Sequence, residues 1–90
     1  MKVVLTKKAA KEFNKIPLYL QDKLQVWIDA VERNGLKAVK NDAKWDDEAL
    51  KGDLKGLRSI RLNKGYRAVY EEKTGEIVEI QAIGNSTYKH

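Results

Sequence analysis

Cysteine is absent from the chain, and proline, methionine and phenylalanine each occur once among its 90 residues. Without cysteine no disulfide can stabilise the fold. The apolar runs are far too short to span a bilayer. The first residues, MKVVLTKK, soon become charged and lack the apolar stretch and cleavage site of a signal peptide. Together these absences predict a soluble protein and favour the cytoplasm, although a lack of cysteine by itself excludes no compartment.

Positive charge is the main feature of the composition. With 42% apolar and 34% charged residues, the chain lies in the globular range, and its length predicts a single domain over residues 1–90 with one core. The net charge of +5 makes nucleic acid the first partner class to consider and an acidic protein segment the second. Six basic residues lie between Lys51 and Arg67, and only Asp53 opposes them there. This local concentration indicates a surface for a polyanion.

Apolar spacing predicts a strand and two helices in the first third of the chain. Residues 2–5 form a β-branched strand pattern, after which Thr6 can cap a first helix through its hydroxyl. Pro17 breaks that helix, and a second helix begins there. Asn34 and Gly35 predict its C-terminal cap. The apolar face of the second helix consists of Leu20, Leu24, Trp27, Ile28 and Val31.

The second half of the chain predicts an antiparallel meander. Its alternating residues place one face of the sheet on the helices and leave a charged, concave face opposite. Residues 36–47 show no regular pattern and are predicted to be a connector anchored by Trp45. The element order predicts an α+β fold with two N-terminal helices packed on one face of a small antiparallel sheet. The predicted strands are 57–62, 66–72 and 77–83, joined by turns at 63–65 and 73–75.

Two arginines and one carboxylate form a pattern typical of RNA cleavage. Arg61 and Arg67 fall on two strands joined by a tight turn, and guanidinium groups match phosphate oxygens bidentately. Attack by a ribose 2′-hydroxyl on the phosphodiester builds negative charge on those oxygens. A carboxylate such as Glu48 could accept the hydroxyl proton.

Three motifs carry a resemblance to the RelE/ParE superfamily of toxins from bacterial toxin–antitoxin systems. Residues 48–52 (EALKG), 56–61 (GLRSIR) and 66–70 (YRAVY) resemble the family motifs E-P-L-K, G-x-x-S-x-R and h-R-h-h-Y, where h is apolar. The similarity covers nearly the whole chain and is greatest to YoeB-like and HigB-like toxins, which are ribosome-dependent mRNA endoribonucleases. It implies a RelE-like β-α-α-β-β-β fold.

The resemblance also implies a site and a mechanism. Glu48 would be the general base, and Arg61 and Arg67 would hold the scissile phosphate. Attack would leave a 2′,3′-cyclic phosphate and a free 5′-hydroxyl, with no metal or cofactor required. Relatives place a His-Tyr or Tyr-His pair at the end of the last strand, so Tyr88 is the predicted general acid, with His90 as the alternative.

The partners implied by the resemblance are a cognate antitoxin, the ribosomal A site and mRNA. No membrane is implied, and operator DNA would be bound only through the antitoxin. An acidic segment of the antitoxin would cover the basic face and exclude mRNA. The side chains predicted to attract RNA and the ribosome are Lys51, Lys55, Arg58, Lys64 and His90.

Several alternatives remain open from the residues alone. Glu48 could be an ordinary exposed loop carboxylate, Arg61 could pair across strands with Glu79, and Arg67 could bind a carboxylate or a backbone carbonyl. At the level of function, a ParE-like toxin would poison DNA gyrase by protein contact. A protein whose catalysis has decayed would still bind RNA or antitoxin.

Overall fold

The structure, a computed structural model, describes residues 1–85. One strand comes first, three helices follow it, and four more strands complete the sheet. The helices are α1 (Lys7–Phe13), α2 (Leu18–Asn34) and α3 (Leu36–Lys40), with single 3₁₀ turns at Ala43–Trp45 and Gly52–Leu54. The strands are β1 (Lys2–Leu5), β2 (Glu48–Ala49), β3 (Arg58–Arg61), β4 (Tyr66–Thr74) and β5 (Ile77–Asn85).

One five-stranded sheet runs through the described chain in the order β1-β5-β4-β3-β2. Strands β3, β4 and β5 form the predicted antiparallel meander, which confirms the α+β prediction. The edge strand β1 pairs in parallel with β5, and the short strand β2 pairs antiparallel with β3 at the other edge. Neither edge pairing was predicted, because the β1–β5 pairing joins segments that are distant in sequence and β2 is too short to show a strand pattern.

The helix ends follow the predicted signals. The hydroxyl of Thr6 accepts a hydrogen bond from the Ala9 amide at 3.0 Å, and α2 begins directly after Pro17. Gly35 ends α2 with a φ of 88°, a left-handed value that glycine adopts without a steric penalty. The residues that distinguish the two N-terminal helices in the sequence therefore also set their bounds.

The main core lies between the helices and one face of the sheet, as predicted. Trp27 of α2 packs against Tyr70 of β4 with ring centroids 5.1 Å apart, and both side chains are fully buried. Trp45 is also buried and anchors the connector, which confirms its predicted role. The connector is not irregular throughout, because α3 buries Leu36 and Val39 one helical turn apart.

The opposite face of the sheet differs from the prediction that it is polar. Residues 50–57 fold over part of it and form a second, smaller apolar cluster. Polar side chains remain on both sides of this cluster, with Arg61 near the β3–β4 turn and with Glu79 and Gln81, which are hydrogen-bonded to each other, toward the other end of the sheet. The small cluster consists of Leu50, Val69 and Ala82, with Leu54 and Leu57 packed against them.

A membrane-spanning helix is not found among residues 1–85, since none of the helices there is both long and apolar enough.

Candidate active site

Strand register brings Glu48, Arg61 and Arg67 to one face of the sheet. Glu48 of β2 lies opposite Ser59 of β3, and Arg61 lies opposite Arg67 of β4. Ser59 and Arg61 are two residues apart on one strand and therefore point to the same side. Glu48 and Arg61 are thus diagonal neighbours, for which a separation of roughly 7–8 Å is usual. The three described residues of the predicted catalytic set therefore lie on the same face of the sheet.

Arg61 presents a free guanidinium on this surface. Its side chain is exposed, and it forms no ion pair with any carboxylate of residues 1–85. The alternative pairing with Glu79 is wrong, because the register places Arg61 opposite Arg67 and, beyond it, Gly84, whereas Glu79 lies opposite Glu71, five residues away along β5. Arg61 is therefore available to bind an anion such as a phosphate.

Glu48 is held in a strand rather than in a loop. It is half-buried, and its backbone is paired with Ser59 at the edge of the sheet. Within the described part of the chain, its carboxylate forms no ion pair with a basic side chain. A carboxylate with a fixed backbone and no cationic partner is suited to accept a proton from a substrate hydroxyl.

Arg67 is in a different environment from Arg61, although the two residues are cross-strand neighbours. Its side chain is only 3% exposed. Its Nε donates to the Ser59 hydroxyl at 2.9 Å, Nη1 to the Asp46 carboxylate at 3.1 Å, and Nη2 to the Asp46 carbonyl at 2.7 Å. The structure therefore gives Arg67 the alternative role considered from sequence, in which it binds a carboxylate and a backbone carbonyl.

A second arginine–carboxylate pair lies on the helix-facing side of the same strands. The Arg58 Nε donates to the Asp47 carboxylate at 2.6 Å, and the Tyr70 hydroxyl donates to the other oxygen of that carboxylate. The Asp47 side chain is fully buried, whereas that of Arg58 is 32% exposed. Arg58 was predicted to bind RNA, but this ion pair compensates its charge and leaves only part of the side chain accessible.

The buried Asp47 carboxylate raises the pKa values of both side chains that bind it. Burial, followed by the hydrogen bond to Asp47 and its negative charge, raises the pKa of Tyr70 well above the ordinary tyrosine value. Burial alone would lower the pKa of Arg58, yet the hydrogen bond and charge of Asp47 raise it above its ordinary value. Tyr70 therefore stays protonated and Arg58 stays charged. Both can thus hold Asp47, the residue that directly precedes Glu48.

The three predicted RNA-binding lysines are exposed and lie close in sequence to the site residues. Lys51 and Lys55 lie before β3, and Lys64 lies in the β3–β4 turn. The Asn63 side chain fixes this turn by accepting hydrogen bonds from the Gly65 and Tyr66 amides, both at 2.8 Å. All three lysines are therefore free to attract a polyanion. Two further predictions, Tyr88 and His90, lie outside the described residues.

Sequence reasoning missed the residues that support the site. Asp46 and Asp47 immediately precede Glu48, and each accepts hydrogen bonds from a different arginine. Ser59 lies between the two arginines, inside the motif at 56–61. The signal in the sequence was the run of three acids beside an arginine-rich segment, but which acid meets which arginine depends on strand register.

Comparison with known proteins identifies the family. A sequence model of the family described as ParE toxin of type II toxin-antitoxin system, parDE, matches residues 3–87 of the chain. A search of curated proteins gives no match.

Solved structures share the fold. A YoeB/ParE toxin from Agrobacterium tumefaciens is 22% identical with a TM-score of 0.74, and the match covers 94% of this chain and 98% of that one. YafQ from Escherichia coli strain BL21(DE3) is 17% identical with a TM-score of 0.73, covering 94% and 92%. The YoeB-YefM complex from Staphylococcus aureus contains a chain that is 20% identical with a TM-score of 0.72, covering 93% and 94%. With the family model spanning nearly all of its length, the chain belongs to the ParE toxin family, within the RelE/ParE superfamily of type II toxin–antitoxin toxins.

Proposed function

We propose that the protein is a ribosome-dependent endoribonuclease that cleaves mRNA and thereby inhibits translation. The observation that carries the proposal is the pair of Glu48 and Arg61, which share one face of the sheet as diagonal neighbours. One side chain can accept a proton and the other can bind a phosphate, and neither is committed to an ion pair within residues 1–85. Such a pair meets the two main chemical needs of phosphodiester transesterification.

In the proposed reaction Glu48 removes the proton from the ribose 2′-hydroxyl, and the resulting oxygen attacks the adjacent phosphorus in line. Arg61 binds the phosphoryl oxygens and stabilises the negative charge that develops on them. The bond to the 5′-oxygen breaks, which leaves a 2′,3′-cyclic phosphate and a 5′-hydroxyl. Tyr88, or alternatively His90, donates the proton that the leaving oxygen requires. The proposed mechanism uses side chains only.

The proposed substrate is mRNA held in the ribosomal A site. Lys51, Lys55 and Lys64 are exposed, lie close in sequence to the site residues and would attract ribosomal and messenger RNA without reading sequence. Positioning by the ribosome would then supply the substrate geometry that a small open face cannot impose by itself. This proposal places the protein in the cytoplasm, where translation occurs.

A cognate antitoxin is the proposed inhibitor. One of the structural relatives is a YoeB-YefM complex, in which the toxin is bound by its antitoxin. An acidic segment would gain most by covering Arg61 and the exposed lysines, since Arg67 is already buried against Asp46. It would compete with mRNA for the same charges, while contact with operator DNA would be left to the antitoxin. A saturated complex that still cleaves mRNA would contradict this.

The second candidate is gyrase poisoning, which the match to the ParE family model favours. That activity would act through protein contact and would need no acid–base pair. It therefore predicts that Glu48→Gln leaves toxicity intact, and that the purified protein inhibits DNA supercoiling.

The test is in vitro translation of a defined mRNA, with cut sites mapped by primer extension. We expect wild-type protein to cut within translated codons only when ribosomes are present, and Glu48→Gln and Arg61→Ala each to reduce the rate by a factor of about 10² or more. Matched controls are Glu76→Gln and Arg33→Ala, since both residues are exposed and lie on other parts of the molecule. Absence of cleavage by wild type would contradict the proposal, and a supercoiling assay would then test gyrase as the target.

A further inference from the structure

The strand that carries Glu48 has few backbone hydrogen bonds of its own. β2 contains two residues and lies at the edge of the sheet, where only β3 pairs with it. One further backbone hydrogen bond follows, from the Leu50 amide to the Leu57 carbonyl at 2.9 Å. Two-residue edge strands open easily because few hydrogen bonds resist their separation. Side chains must therefore supply much of what keeps Glu48 in place.

Arg67 connects the segment that precedes Glu48 to the strand that pairs with it. Its Nη1 and Nη2 bind the carboxylate and the carbonyl of Asp46, which is two residues before Glu48. Its Nε binds the hydroxyl of Ser59, which is the cross-strand partner of Glu48. A single buried guanidinium thus links the chain entering β2 to the strand against which β2 pairs.

The backbone of Asp46 takes an uncommon left-handed conformation where the chain approaches β2. Asp46 has a φ of 46°, and it is the only residue other than glycine with a positive φ among residues 1–85. An L residue adopts this conformation at a cost, and the surrounding contacts must maintain it. The bond from Arg67 to the Asp46 carbonyl, at 2.7 Å, fixes the direction in which the chain enters β2.

We propose that Arg67 is a positioning residue, which holds the Glu48 strand in register through Asp46 and Ser59, rather than a ligand of the scissile phosphate. The inference rests on the proposed function in one respect, since it takes Glu48 as the base that is positioned. The two cross-strand arginines then have separate tasks. Arg61 is exposed and binds the substrate, whereas Arg67 is buried and organises the edge of the sheet.

Hydrogen exchange tests the structural part without any activity assay. In Arg67→Met we expect the Leu50 amide to exchange at least about tenfold faster than in wild type, relative to the Ile80 amide in the interior of the sheet. Arg61→Met is the matched control, because it removes the same group from the neighbouring position, and its Leu50 exchange should stay within about twofold of wild type. Unchanged Leu50 exchange in Arg67→Met would overturn the proposal.

Asp46→Ala separates positioning from phosphate binding, and it serves also if Arg67→Met does not fold. This variant removes the carboxylate partner but leaves the arginine in place. If Arg67 acts through Asp46, the variant should lower kcat for cleavage about tenfold while KM stays within about twofold. If Arg67 binds phosphate, loss of its carboxylate partner would leave cleavage unchanged or faster, which would overturn the proposal. Should wild type prove unable to cleave mRNA, the proposed function fails, and the exchange of Leu50 in these variants still decides whether Arg67 holds the strand.

Discussion

The hydroxyl of Tyr70 provides a quantitative test of the network beneath the site. The ring is fully buried against Trp27, and its hydroxyl donates to the Asp47 carboxylate, which is itself completely buried. Tyr70→Phe keeps the ring and removes the donor. Within residues 1–85 the Asp47 carboxylate binds two side chains, Tyr70 and Arg58, and in the variant only Arg58 would remain. A buried carboxylate would then have lost one of the bonds that offset its desolvation.

The expected cost follows from the charge on the acceptor. A hydrogen bond to a charged group contributes about 1.5–3 kcal/mol, which for a domain of this size corresponds to a loss of roughly 6–24 °C in Tm. Tyr19→Phe is the matched control, because Tyr19 is 62% exposed and its hydroxyl bonds Asn63 at the surface. Its effect should stay within about 0.5 kcal/mol. Urea and thermal unfolding followed by circular dichroism measure both variants.

The pH dependence of the same variant tests the raised pKa of Tyr70. Because the folded state binds the phenolic proton more tightly than the unfolded state, this contribution to stability is complete below the unfolded pKa of about 10. Above that pH the free energy of unfolding of the wild type should fall by about 1.4 kcal/mol per pH unit through this group. Tyr70→Phe has no phenol at this position and should not show this loss. The stability difference between the two proteins should therefore shrink as pH rises above about 10. A constant difference across that range, or a Tyr70→Phe variant as stable as Tyr19→Phe, would refute the reasoning.

Two further outcomes are expected. Gly35→Ala should destabilise the protein by about 1 kcal/mol or more in urea unfolding, because alanine adopts a φ of 88° only at a cost. A methyl group there would meet no other atom within 4 Å, so the cost would come from the backbone alone. Gly75→Ala, where φ is not in the left-handed region and space is also open, should change stability by no more than about 0.5 kcal/mol, and equal effects would contradict this. Replacing Lys51, Lys55 and Lys64 together by Gln should weaken binding to single-stranded RNA and reduce the slope of log K against log salt by about 2, measured by fluorescence anisotropy. An unchanged slope would show that these lysines do not contact phosphates.

The two N-terminal helices and the meander could be predicted because their signals are local, whereas α3 was missed. Thr6, Pro17 and Gly35 act through the geometry of their own backbone or the next turn, so each marks a helix end whatever the rest of the chain does. The alternation at Ile60 and Leu62 likewise places both residues in the main core. Strand β1 was predicted at residues 2–5, but its parallel pairing with β5 was not, since β5 lies more than 70 residues along the chain. The two-residue strand β2 was missed because so short a segment shows no alternating pattern.

The residues of the candidate site could be predicted from the sequence, but which of them are buried could not. Arg61 and Arg67 have the same side chain, and the motifs present both as phosphate ligands. Their difference arises from Asp46, whose left-handed backbone brings a carboxylate and a carbonyl to Arg67 and none to Arg61. Which of two neighbouring arginines is neutralised depends on the path of a loop, and no local propensity specifies that path.

The measurement that tests the central proposal most directly uses a ribosome stalled with a defined codon in the A site. Purified wild-type protein is added to two such complexes, one with an all-ribose mRNA and one with a single 2′-deoxy nucleotide at the mapped cut. We predict that the ribose message yields a 2′,3′-cyclic phosphate and a 5′-hydroxyl, and that the deoxy message stays intact, because the attacking group is missing. Cleavage of the deoxy message at the same bond, or products with a 5′-phosphate, would contradict the proposed attack by the 2′-hydroxyl with Glu48 as its base.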